Sequence, residues 1–173
     1  MVKFRLYKNY FGNVSYIIVD NFFCNANAIE GLMHIFKPQY LIVSITALDQ
    51  EGVFYELVTN EKTRFKVVLP KDNAITSETV VVSTKSDFLS VFDLLVKSEP
   101  RCITLYGVND DIEIDRLNYK EFQYADDAIV TKDIIGYAIS IIVEECCLKI
   151  AFNTNLYAPD DLFKTVNKKL QDV

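Results

Sequence analysis

The chain has 173 residues, half of them hydrophobic and about a quarter charged, with a formal net charge of −6. That is the size and make-up of one ordinary globular domain, spanning residues 1–173, and not of a disordered chain. The acidic balance argues against nucleic acid and against anionic lipid as partners, and favours a basic protein. Four cysteines, Cys24, Cys102, Cys146 and Cys147, sit in or beside apolar runs without the spacing of a disulfide framework. They read as reduced thiols in a cytoplasmic protein. The N-terminus lacks the apolar stretch of a signal peptide, and the longest apolar run, Ile134 to Val143, is ten residues. A bilayer span needs about 20.

Val2 to Tyr7 and Val14 to Val19 alternate as two strands, with Asn9, Gly12 and Asn13 supplying the turn. From Ala28 to Phe36, Ile29, Leu32, Met33 and Phe36 recur at helical spacing. Asn27 is the expected cap, with Glu30 as its capping-box partner. Tyr40 to Leu48 is a continuous apolar strand. Val53 to Val58 and Phe65 to Leu69 continue it as an antiparallel meander, and Thr79 to Ser83 is another short strand. Ser86 is placed to cap a helix over Asp87 to Lys97, whose stripe is Phe88, Val91, Phe92 and Leu95.

Cys102 to Val108 follows as a strand. Ile134 to Val143 and Cys147 to Phe152 read as a hairpin turning near Glu144 and Glu145, although the first run also fits a helix. The last helix begins at Pro159. Asp160 and Asp161 stand at its positive end, Lys168 and Lys169 at its negative end, and Leu162, Phe163, Val166 and Leu170 form its buried stripe. The expected fold is α+β: a mostly antiparallel sheet with about three helices packed on it.

The residues of familiar chemistries do not come together in the sequence. The only histidine, His34, lies beside a buried helical stripe and reads as structural. Zinc needs about four ligands at short spacing, and no C-x-x-C pair occurs. The vicinal Cys146 and Cys147 read as a strand pair. The glycines at 12, 31, 52, 107 and 136 are too scattered for a phosphate loop. No cofactor, metal or catalytic residue is expected.

The segment from Asn109 to Asp127 stands apart. It holds seven acids and two bases, a net −5 of the chain's −6. Asp110, Asp111, Glu113, Asp115, Glu121, Asp126 and Asp127 are interleaved with Tyr119, Phe122 and Tyr124. Acids of this density raise the encounter rate with a basic partner, and exposed aromatics anchor interfaces. These ten residues are the expected partner-binding site. The competing reading is a solvated strand and loop whose rings turn into the core.

A small, acidic, aromatic-rich chain without catalytic motifs resembles the immunity proteins of bacterial toxin systems, those of contact-dependent growth inhibition in particular. The resemblance lies in overall character across the whole chain. It implies a cytoplasmic inhibitor, not an enzyme, that binds a cognate toxin domain, commonly a nuclease, and occludes its basic cleft. Two other classes stay open: a small carboxylate-dependent enzyme around Asp110, Asp111, Asp126 and Asp127, and an assembly or adaptor subunit. A homodimer stays open as well.

Overall fold

The computed structural model describes residues 1–48, 66–69, 76–97, 99–108 and 135–172, with backbone alone at 47–48, 66–69, 76–82 and 94. Among the described residues eight strands form one sheet: β1 (Lys3–Phe11), β2 (Val14–Asp20), β3 (Tyr40–Leu48), β4 (Lys66–Leu69), β5 (Thr76–Ser83), β6 (Cys102–Val108), β7 (Tyr137–Ile142) and β8 (Cys147–Asn153). Their order across the sheet is β1-β2-β8-β7-β6-β3-β5-β4, and every neighbouring pair is antiparallel. The fold is therefore α+β, as the strand-rich pattern with interspersed helices implies.

Three helices are present among the described residues: α1 (Ala26–Phe36), α2 (Lys85–Lys97) and α3 (Pro159–Gln171). α1 packs against both others. Their stripes bury onto one face of the sheet. Ile29, Leu32 and Met33 from α1, Phe88 and Phe92 from α2, and Leu162, Val166 and Leu170 from α3 share a core with alternate residues of the strands. On β6, β7 and β8 those residues are Ile103 and Leu105; Tyr137, Ile139 and Ile141; and Leu148, Ile150 and Phe152. The period of two sends the intervening side chains to the opposite face. A backbone approach fixes one corner of the core: a Cβ on Gly107 would lie 1.8 Å from the Tyr137 hydroxyl, so only glycine lets that ring cross β6.

Several boundaries differ from the sequence expectation, each for a local reason. α1 begins two residues early because Asn25, not Asn27, is the cap; its side chain accepts from the Ala28 N–H at 2.9 Å. Glu30 therefore closes no capping box. α2 is capped by Thr84 and not by Ser86. The Thr84 hydroxyl accepts from the Asp87 N–H at 3.2 Å and donates to the Asp87 carboxylate at 2.7 Å. Phe163 is only half-buried, while Leu162, Val166 and Leu170 are buried.

The run 134–143 resolves as strand β7 over Tyr137–Ile142, since it finds neighbours on both sides in β6 and β8. Cys146 and Cys147 are not a strand pair: Cys146 lies in the turn at φ +46°, and only Cys147 enters β8. β3 pairs with β5 and β6, so the described strands do not form a simple sequential meander. The expected strand Val53 to Val58 lies outside the described residues.

Candidate functional site

The ten residues of the acidic segment, Asp110, Asp111, Glu113, Asp115, Tyr119, Glu121, Phe122, Tyr124, Asp126 and Asp127, all lie outside the described residues. The strands that flank the segment are described. β6 ends at Val108 and the chain resumes at Ile135, just before β7. Val108 pairs with Tyr40, the Gly136 carbonyl accepts from the Asn153 N–H, and Asn153 pairs with Val14 at the end of the first hairpin. Val108 and Gly136 thus both stand at the end of the sheet that carries the β1–β2 turn.

That hairpin holds a site that the strand pattern alone did not reveal. Tyr7 of β1 stands opposite Tyr16 of β2, and Phe11 stands opposite Val14. Between those pairs, Lys8, Asn9 and Tyr10 face Ser15 alone, which makes a wide bulge. Asn9 takes up the excess in the left-handed region at φ +48°, a conformation asparagine tolerates better than most residues. Its N–H donates to the buried Ser15 hydroxyl at 2.8 Å, which pins the bulge. Gly12 turns the chain at φ +56°.

The bulge changes where side chains point, as bulges at sheet edges commonly do. Lys8 reaches the helical side and pairs with Asp160 at the start of α3, 2.6 Å away. Tyr10 swings to the opposite face and meets Tyr16 edge-on, with ring centroids 5.4 Å apart at 80°. Tyr7 meets Tyr10 in the same way, at 6.5 Å and 81°. Edge-to-face contacts of this kind place a ring's positive rim on its neighbour's negative face.

Two cations join the tyrosines. Lys149 of β8 stands beside Ile18 in register, and its ammonium sits over the Tyr16 ring, 4.4 Å from the centroid. Arg5 lies over the Tyr7 ring at 5.8 Å and is bound by Asp20, with a 2.7 Å ion pair. Tyr7, Tyr10, Tyr16, Ile18 and Lys149 enclose an open pocket of ≈ 390 Å³. Tyr16 is the buried floor, at 4% exposure, and Tyr10 is the outer wall, at 71%. Phe11, next to Tyr10 in the chain, is 60% exposed, and Leu156 is exposed as well; Thr154, two residues before Leu156, ties the chain after β8 to the Asn13 carbonyl.

The other residues singled out in the sequence take structural places. His34 is exposed on α1, with Nδ1 2.8 Å from the Glu30 carbonyl. The cysteines are free thiols. Burial pushes the Cys24 thiol up to about 12, and it also raises Cys147, helped by the charges of Asp20 and Glu145. Neither is an activated nucleophile, because the thiolate is the reactive form. Among the described residues no group of His, Cys, Asp or Glu is arranged to hold a metal ion, and no helix is long and apolar enough to cross a membrane.

The signal for the tyrosine pocket was present but needed register to be read. The sequence pattern places Asn9 in the turn, whereas the turn is Gly12–Asn13 and Asn9 sits inside β1. Comparison with protein-family models and with curated proteins gives no match to this chain.

Proposed function

We propose that this chain is a protein-binding inhibitor of the bacterial immunity type, which docks on a basic toxin domain through the end of the sheet that carries the first hairpin. The observation that supports it most is the exposure of Tyr10 and Phe11, adjacent in sequence, on a bulged hairpin tip. Scattered apolar residues are normal on a surface, but neighbouring large rings on a pinned turn are the composition of an interface centre. The segment with net charge −5 follows Val108 in the chain, and Val108 stands at the same end of the sheet. Its charge supplies steering toward a basic cleft, and the hairpin rings supply the contact that resists dissociation.

The test is to clone the open reading frames that neighbour the gene and co-express any toxic domain among them with this chain. The wild-type chain should protect the host and co-purify with that domain. A folded Tyr10→Ala/Phe11→Ala variant should lose protection through faster dissociation, each anchor being worth about 2 kcal/mol or more on truncation. Asp110→Lys/Asp111→Lys should instead slow association, with an effect that shrinks as salt rises. Lack of both protection and binding by the wild type would overturn the inhibitor reading. Full protection by the double-alanine variant would remove the hairpin from it.

A further inference from the structure

We infer that the pocket formed by Tyr7, Tyr10, Tyr16, Ile18 and Lys149 is a binding site for a small ligand with a flat apolar body and one anionic group. The inference does not depend on the protein-binding reading, and the charge it recognises is opposite to the one the acidic segment would attract.

The ligand class follows from the walls. Three tyrosine rings and Ile18 offer apolar surface. The perpendicular ring pairs, Tyr7 with Tyr10 and Tyr10 with Tyr16, leave faces and edges on which a planar group can pack. The ≈ 390 Å³ volume falls within the range of small-molecule pockets, about 300–1,000 Å³.

The sign of the charge follows from the cations. An aromatic cage can hold a ligand cation, but here the Tyr16 face is already covered by the Lys149 ammonium at 4.4 Å. A second cation would be repelled. Arg5 is neutralised by Asp20, whereas Lys149 has no carboxylate within ion-pair distance among the described residues. Among the described residues the pocket therefore presents one ammonium without a carboxylate partner, on the half-buried Lys149, held by Tyr16 at the inner wall. A carboxylate or phosphate on the ligand would complete it with a charge-assisted hydrogen bond.

The construction supports a site and not a surface accident. Tyr10 reaches this face only because Asn9 is left-handed and its N–H is held by Ser15, so a strained, pinned bulge is maintained to close the outer wall. Bulges next to binding sites re-aim side chains in this way.

The probes are 2-naphthoate, its neutral isostere 2-naphthamide and inorganic phosphate, titrated into the full-length chain and followed by amide NMR shifts. Naphthoate should shift the amides of Tyr7, Tyr16, Ile18 and Lys149, with a dissociation constant on the order of millimolar, as expected for a fragment. Naphthamide should bind about tenfold more weakly, and Lys149→Gln should weaken naphthoate by about tenfold while leaving naphthamide unchanged. Phosphate alone should bind more weakly than naphthoate, because the rings contribute. Tyr10→Ala, at an exposed position, gives a second variant that should weaken both naphthyl probes together. Equal binding of naphthoate and naphthamide, an unaltered naphthoate affinity in a folded Lys149→Gln variant, shifts confined to other residues, or no shifts at all would each overturn the inference.

Discussion

Two groups of aromatic side chains occupy opposite faces of one sheet, and the same residue type does different physical work in each. On the helical face, Tyr137 stacks on Phe36 with ring centroids 4.0 Å apart, and Tyr157 meets both edge-on. Tyr137 is buried, and its hydroxyl has no hydrogen-bond partner among the described residues. On the other face Tyr16 is buried, Tyr7 half-buried and Tyr10 exposed, with cations over the rings of Tyr16 and Tyr7. The first group fills a core, where what counts is area removed from water. The second forms a surface that keeps its polar rims wet. An unpartnered phenol is tolerated in the first because the ring's burial outweighs the cost of one unsatisfied hydroxyl, about 1–3 kcal/mol.

The largest effect should come from breaking the buried group. Phe36→Ala removes the ring stacked on Tyr137 and leaves a cavity beneath the end of α1. It should cost about 3–5 kcal/mol, a large share of the roughly 5–15 kcal/mol that a domain has. Urea or thermal unfolding measures it directly. A loss below about 1 kcal/mol would mean that the helix end repacks onto β7 without its ring.

Tyr137→Phe sharpens the same comparison. It keeps the ring and removes only the unpartnered hydroxyl, so stability near neutral pH should rise, by about 1–3 kcal/mol. The pH dependence gives a second reading. Burial pushes the Tyr137 phenol well above its ordinary value, with a further push from Tyr157. Below the unfolded-state value, about 10, the phenol is protonated in both states and its contribution is fully present. Above it, the unfolded chain ionises while the folded chain does not, so stability falls as pH rises, by up to about 1.4 kcal/mol per pH unit. Tyr137→Phe should flatten that alkaline fall. Identical alkaline unfolding curves for wild type and variant would place the titration elsewhere.

How much of each group could be read from the chain alone differs for a physical reason. The buried group is carried by periodicity: Ile29, Leu32, Met33 and Phe36 announce one helix face, and the apolar runs of β6 and β8 announce central strands. Tyr137 was ambiguous between helix and strand because a ten-residue apolar run carries no period, and only its neighbours β6 and β8 decide it. The tyrosine pocket depends on cross-strand register instead. Simple alternation from Phe4 and Leu6 would send Tyr10 toward the helices. The bulge at Asn9 cancels that, and neither Ile18 nor Lys149 can be placed beside Tyr16 without knowing that β8 lies next to β2. The capping errors at Asn25 and Thr84 belong to the same class, since two nearby polar residues compete for one helix start and the geometry picks between them.

The smallest effect on stability should come from the exposed group, and there it separates function from folding. Tyr10 is 71% exposed, and among the described residues its ring meets Tyr7 and Tyr16 edge-on. Tyr10→Ala removes no core volume and strands no buried polar atom, because the bulge is held by backbone: the Asn9 N–H on Ser15 remains. The loss is that of two edge-to-face contacts at the solvent boundary, so stability should change by about 0.5 kcal/mol or less, as for surface substitutions generally. Ligand and partner binding should respond in the opposite proportion, since the outer wall of the pocket and one ring of the hairpin tip disappear together. Parallel measurements of unfolding and of naphthoate affinity on this variant test both halves. A drop of more than about 2 kcal/mol would mean that Tyr10 is structural and that the two aromatic groups do the same work. Unchanged stability with weakened binding is the outcome the geometry requires.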